Sequence, residues 1–169
     1  MTATHTTMDS PIGELTLVAR DGTLSGVYFP GHWYPPGAAT LGTRDDDGFE
    51  PARQQLAEYL TGERSSFELA TASAGDAFAR RVWALIDAIP YGETTTYGEI
   101  ARTLGDVALA RRVGWAVGHN PLSIVVPCHR VVGKDGRLTG YAGGLERKRF
   151  LLDLERPAGR PAELAPMLF

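Results

Sequence analysis

The sequence predicts an α/β protein: a small N-terminal α/β domain built on a β-hairpin or sheet, followed by a mainly helical C-terminal domain. Two observations predict it. Two strand-like runs meet across Asp21-Gly22 near the start of the chain. Apolar residues then recur at helical spacing in several separate segments. The charge also divides: residues 1–96 carry 13 acidic and 6 basic side chains, whereas residues 97–160 carry 6 acidic and 11 basic ones. Any phosphate-binding surface is therefore expected in the second half, despite the overall net charge of −3, the alternative being chance patchiness of charge. The expected division is residues 1–72, residues 76–156, and a loose Pro/Ala-rich tail over 157–169.

In order along the chain, Ile12 to Ala19 alternates loosely and Leu24 to Phe29 follows. The intervening Asp-Gly pair tolerates positive φ, as a tight hairpin requires. Pro30 to Gly48 holds Pro35-Pro36, several glycines and Asp45-Asp46-Asp47, and reads as a loop. Pro51 to Leu60 is helical, with Leu56, Tyr59 and Leu60 on one face and Gly62 ending it. Phe67 to Leu69 is expected as a short strand. Asp76 is placed to cap a helix that runs to Ile89 and buries Phe78, Val82, Leu85, Ile86 and Ile89. Thr96 caps a short helix from Tyr97 to Leu104 with Ile100, Ala101 and Leu104 inward, and Gly105 breaks it. A further helix spans about Val107 to Gly118. Such a pair has the dimensions of a helix-turn-helix and equally of an ordinary helical hairpin. Gly144 to Glu155 forms the last helix, apolar at Leu145, Phe150, Leu151, Leu152 and Leu154.

With 169 residues, 43% hydrophobic and 22% charged, the chain has the composition of a globular protein. No run approaches the roughly 20 apolar residues of a membrane span, and Met1 to Ser10 lacks the apolar core of a signal peptide. The expected location is the cytoplasm, where thiols stay reduced. The lone cysteine, Cys128, has no disulfide partner within the chain.

Cys128 lies in Ile124-Val125-Val126-Pro127-Cys128-His129-Arg130-Val131-Val132-Gly133. A cysteine within an apolar run is commonly a small buried hydrophobe. Here, however, Pro127 stiffens the approach, and His129 and Arg130 put two candidate cations beside the sulfur. A thiol of ordinary pKa near 8.5 is only a few per cent thiolate at neutral pH. A neighbouring cation or base raises that fraction. A lone cysteine near a histidine also fits a cysteine peptidase or acyltransferase, although His129, directly next in the chain, is poorly placed to point at the sulfur without an intervening water. Glu155, closing the last helix, is a candidate to orient the imidazole or, equally, a solvated helix-end carboxylate.

Pro127-Cys128-His129-Arg130 resembles the active-site motif of the O6-alkylguanine-DNA alkyltransferases (methylated-DNA–protein-cysteine methyltransferases), and the resemblance extends in one register over roughly residues 76–155. Pro90-Tyr91-Gly92-Glu93-Thr94 and Thr96-Tyr97-Gly98-Glu99-Ile100-Ala101 resemble the family's tyrosine-bearing helix. Ala110-Arg111-Arg112-Val113-Gly114 resembles its recognition helix, Gly118-His119-Asn120-Pro121 its Asn hinge, and Gly140-Tyr141-Ala142-Gly143-Gly144 its active-site loop. Asp9-Ser10-Pro11-Ile12-Gly13 and the hairpin after it match more loosely.

The resemblance implies DNA repair by direct, single-use transfer of the alkyl group from O6-alkylguanine to Cys128, and leaves O4-alkylthymine open. It implies a helix-turn-helix, base flipping, and double-stranded DNA as partner, with the protein a monomer and cooperative assembly on DNA left open. Cys128 is then nucleophile and acceptor. His129, acting through a water and oriented by Glu155, helps form the thiolate, and Tyr97 gives a proton toward N3 of the leaving guanine. Arg111 fills the gap left by the extruded base, an extrusion that costs a few kcal/mol. Ala110 and Gly114 let the helix approach the DNA backbone, Asn120 braces the hinge, and Arg130 is assigned to the DNA-binding set. Tyr141 and Val117 wall the base pocket; the Cys128 and Val131 carbonyls face the exocyclic amine, and backbone near Ala142 faces O6. Some relatives hold a structural zinc in the N-terminal domain. This chain has no cysteine there, and His5 and His32 alone make a poor site, so no metal or other cofactor is expected.

Overall fold

The computed structural model describes residues 2–157; the tail expectation lies almost wholly outside them. The chain opens with β1 (Ala3–Met8), β2 (Leu15–Arg20) and β3 (Thr23–Tyr28). β2 and β3 form the expected hairpin, with Asp21 and Gly22 at φ of 48° and 81° as its turn demands. β1 was not foreseen. Its Thr-His-Thr-Thr core is polar, and Thr6 is the one fully buried residue on it, so no apolar alternation marks it. It pairs antiparallel with β2, and Thr6 sits opposite Leu17.

The segment read as a loop contains structure. α1 (Ala38–Leu41) is a single turn, and β4 (Thr43–Arg44) adds to β1 in parallel, giving the sheet order β3-β2-β1-β4. Asp46 explains how so acidic a segment docks: it accepts from Thr6 Oγ1 at 2.7 Å and from Arg44 Nε at 2.9 Å. α2 (Glu50–Leu60) then buries Leu56, Tyr59 and Leu60, the face expected, in the core. Phe67 to Leu69 is not a strand; the nearest pairing is a single bridge between Leu24 and Thr71.

In the second half α3 (Ala77–Asp87) is capped by Asp76, whose Oδ1 accepts from the Ala79 N–H at 2.7 Å. Such a cap is worth about 1 kcal/mol. Its buried stripe is Ala79, Val82, Trp83 and Ile86, while Phe78 and Leu85 are only partly buried. Trp83 Nε1 donates to the Ala116 carbonyl at 2.8 Å, pinning α3 to the helix over residues 110–118. β5 (Thr95–Thr96) leads into α4 (Tyr97–Thr103), where the Glu99 N–H bonds to Thr96 Oγ1 at 3.1 Å. Gly105, at φ 118°, turns the chain into a 3₁₀ turn at Val107–Leu109, and α5 runs over Ala110–Gly118. Residues 119–130 form tight turns around Cys128, and β6 (Val131–Val132) pairs in parallel with β5. α6 (Leu145–Leu154) closes the fold.

Both halves share one continuous apolar core, running from Leu15, Leu17 and Val27 through Leu56 and Tyr59 to Leu122, Ile124 and Leu151. Polar ties cross the same boundary. The Val27 N–H donates to the Pro121 carbonyl at 2.8 Å, and Arg147 Nε donates to the Ile12 carbonyl at 2.6 Å. The sheet thus presses directly on the turns that carry Cys128. Among the described residues no helix is long and apolar enough to cross a membrane.

Candidate active site

Cys128 begins a short 3₁₀ turn, Cys128–Arg130, at the end of a constrained approach. Ile124 has φ of 72°, a left-handed conformation that a β-branched residue adopts only under constraint. Asn120 supplies the constraint: its Nδ2 donates to the Val126 carbonyl at 2.9 Å and its Oδ1 accepts from the Leu122 N–H at 3.0 Å. The residue resembling the family's hinge therefore staples the turn that aims the cysteine.

The thiol is only 3% exposed. Burial pushes its pKa up, and the Asn120 side chain and the Lys148 ammonium work against that rise. His129 and Arg130 are not the cations that face the sulfur. Arg130 turns inward, with Nε and Nη2 on the two oxygens of Glu155 at 2.7 and 2.9 Å and Nη1 on the Ile89 carbonyl at 2.6 Å. That buried, bidentate pairing removes it from the DNA-binding set, which is a correction to its expected place. His129 is buried and its pKa is lowered, by desolvation first, so its imidazole is neutral. The cation within electrostatic reach is Lys148, wholly buried on α6, whose Nζ donates to the carbonyls of Val131 at 2.7 Å and Thr139 at 3.3 Å. Desolvation lowers its pKa to about 8. The Val131 carbonyl, expected to read the base, is therefore already engaged by an ammonium. Lys148 was missed because it stands in the run Arg147-Lys148-Arg149, which reads as a solvated face.

Glu155 is the centre of a second cluster. It lies at the C-cap of α6, 1% exposed, and receives His129 Nε2 at 2.7 Å, the fork of Arg130, the Gly92 N–H at 3.3 Å, and the hydroxyl of Tyr59. Burial alone would raise its carboxyl; the His129 and Arg130 hydrogen bonds outweigh burial and hold it at about 2. With Nε2 committed to the carboxylate, His129 Nδ1 is a buried atom with no hydrogen-bond partner among the described residues. Tyr59 reaches this cluster from α2, so the N-terminal half contributes to the site as well as supporting it.

On the flank of α5 lies a cavity of about 220 Å³, walled by Tyr97, Gly114, Val117, Tyr141 and Ala142. It is smaller than the roughly 300–1,000 Å³ of pockets for drug-sized ligands and fits one flat heterocycle. Trp33, Gly118, Thr139 and Gly140 complete it. Tyr97 Oη accepts from Thr139 Oγ1 at 3.3 Å, so that bond does not use the Tyr97 proton. The pKa of Tyr97 is raised, by burial first and also by Cys128. Tyr141 Oη is buried, meets no partner in hydrogen-bond geometry among the described residues, and stands beside the Cys128 thiol. Two hydroxyls thus lie between the cavity and the thiol.

α5 presents its other face outward. Arg112 lies over the Phe78 ring at 4.0 Å, whereas Arg111 is exposed and, among the described residues, makes no hydrogen bond or ion pair. Ala110 and Gly114 are partly buried on the same helix. In the N-terminal half, His5 Nδ1 lies 3.0 Å from the Leu41 carbonyl and His32 stacks on Phe29, so neither histidine faces the other across a shared site.

Residues 4–72 match the family described as 6-O-methylguanine DNA methyltransferase, ribonuclease-like domain, and residues 77–157 match its DNA binding domain. The methylated-DNA–protein-cysteine methyltransferase of Mycolicibacterium paratuberculosis is 49% identical over 152 residues, covering 90% of this chain and 92% of that one. The crystal structure of the Mycobacterium tuberculosis O6-methylguanine methyltransferase superposes with a TM-score of 0.84 at 46% identity, over 96% of this chain and 97% of that one. A structure of the M. tuberculosis protein in complex with DNA gives 0.85 at 46% identity, over 92% and 93% of the two chains. The buried cysteine, the Glu155 cluster and the cavity beside α5 thus sit in a chain that belongs to the 6-O-methylguanine DNA methyltransferase family.

Proposed function

We propose that this protein repairs DNA by moving the alkyl group of O6-alkylguanine onto Cys128, once per molecule. The observation that carries this reading is the placing of the thiol beside Tyr141 and within electrostatic reach of Tyr97, both of which wall a cavity of one heterocycle's size on the flank of α5. The sulfur attacks the carbon attached to O6. A C–S bond forms, the C–O6 bond breaks, and its electron pair passes to the purine. The thiol proton leaves through one water to His129 Nδ1, Tyr97 gives its proton to N3 of the purine, and the proton held on His129 passes to solvent while Tyr97 recovers one from it. The product is a thioether with no leaving group that water displaces readily, so the molecule does not turn over.

The partner is double-stranded DNA, bound by α5 as the recognition helix of a helix-turn-helix formed with α4. Residues 76–156 carry transfer and DNA binding, and the protein acts as a cytoplasmic monomer. Intact-mass measurement after incubation with an O6-methylguanine duplex tests the reaction: one added methyl, mapped to Cys128, is expected. Unmodified protein, or continued turnover of the kind a cysteine hydrolase gives, overturns it.

Arg111→Ala is expected to slow repair in duplex DNA by about tenfold or more while leaving reaction with the free alkylated base unchanged. Holding a base out of the stack costs a few kcal/mol, and a free base has no such need. Single-turnover rates on the two substrates check this, and equal losses on both would remove Arg111 from the role.

A further inference from the structure

The geometry points to Trp33 as the residue that sets how large an O6 substituent the pocket accepts, a specificity wall supplied by the N-terminal half. This rests on the alkyl-transfer reading above. Trp33 belongs to the segment that sequence alone shows only as a loop, and it is 55% exposed, one of the few large apolar side chains so placed. It nevertheless lines the cavity together with residues of α5 and of the loop around Tyr141.

Its position is held at several points. The Trp33 N–H donates to the Ala142 carbonyl at 3.0 Å, so the backbone is tied to the cavity's own loop. The indole covers Gly140 so closely that a Cβ there would stand 2.5 Å from the ring, and the ring edge also approaches Gly118 at the end of α5. Gly140 thus admits the indole where any side chain would displace it. The next residue, Tyr34, stacks on His119 with ring centroids 3.7 Å apart, and His119 stacks in turn on Trp115 at 4.1 Å. The segment is therefore fastened to the recognition helix as well as to the cavity loop.

A half-exposed indole over a small cavity has two consequences. It offers a flat face or edge to the base that enters, and it fixes the volume left beside that base. A methyl group adds little to a purine. A benzyl group adds a second ring, which must share a cavity of about 220 Å³ with the purine, and Trp33 forms one wall of that space. The wall is open to solvent on its far side, so truncating it extends the cavity outward without hollowing the core.

The test compares single-turnover alkylation of Cys128 by O6-methylguanine and O6-benzylguanine, each in the same duplex and as the free base, for the wild type, Trp33→Phe and Trp33→Ala. The benzyl-to-methyl rate ratio is expected to rise by about tenfold or more in Trp33→Ala, the scale on which a pocket discriminates by steric fit, with Trp33→Phe between. The methyl rate is expected to fall by up to about tenfold, as loss of one base–aromatic contact allows. Thermal melting of the variants should stay near the wild type, since the side chain is half exposed. An unchanged ratio overturns the proposal. So does a loss confined to duplex substrates and equal for both alkyl groups, which would make Trp33 a DNA contact. Methyl transfer by the wild type in the same assay reports separately on the underlying reaction.

Discussion

Cys128→Ala is expected to end transfer altogether while keeping the alkylated duplex bound. Alanine fills most of the space of a side chain that is already small and buried, and the Asn120 bonds that shape the turn do not involve the sulfur. The cavity, Arg111 and the outer face of α5 are untouched. Binding of methylated duplex, measured at one stated salt concentration because phosphate contacts make affinity salt-dependent, should stay within a few-fold of the wild type. No methyl should appear on the protein at any time. Stoichiometric demethylation by this variant would overturn the assignment of the nucleophile. Loss of binding together with transfer would show that the sulfur is part of the recognition surface.

The second large effect is on stability and on transfer together. Glu155→Ala leaves the Arg130 guanidinium buried with no counter-charge, and strands the Tyr59 hydroxyl and His129 Nε2 as well. Breaking a buried pair from one side costs about 3–5 kcal/mol, which corresponds to a fall of roughly 10 °C in Tm for a chain of this length. The pH dependence has a definite sign. The folded state holds the Glu155 carboxyl at about 2, below the ordinary value of 4.5. Its contribution is therefore fully present above about pH 4.5 and is lost as the pH falls toward 2. Melting curves of the wild type and of Glu155→Gln across that window check this: the variant should lack the part of the acid loss that belongs to Glu155. Identical slopes would mean that the carboxylate is not the group that anchors the cluster.

What the sequence made legible follows a physical rule. α2, α3, α4 and α6 were legible from apolar residues at helical spacing and, in α3 and α4, from the caps Asp76 and Thr96, whose effects are decided within a few residues. The hairpin turn is equally local. Cys128, Asn120 and the Tyr97 and Tyr141 pair were found because they stand in short motifs. What escaped were features decided across the fold. β1 is polar and becomes a strand because β2 and β4 lie on either side of it. Tyr59 reads as one more apolar residue of a helical stripe, and only the packed structure shows its hydroxyl on Glu155, 96 residues away. Lys148 reads as a surface cation and Arg130 as a cation beside the sulfur or on DNA, and each is buried against acceptors that lie far along the chain or in turns that sequence does not place. Trp33 had no pattern around it at all.

The depth of Cys128 also decides what the molecule ignores. A reagent that can be consumed only once is wasted by every side reaction, and dissolved oxidants and small electrophiles react chiefly with exposed thiolates of low pKa. At 3% exposure, with burial pushing its pKa upward, this sulfur is a poor target for all of them. It stays dormant until a base fills the neighbouring cavity and brings the alkyl carbon to it. The pool of unreacted chains is then drawn down by lesions, with little loss to background chemistry, so the fraction alkylated works as a dosimeter of DNA damage.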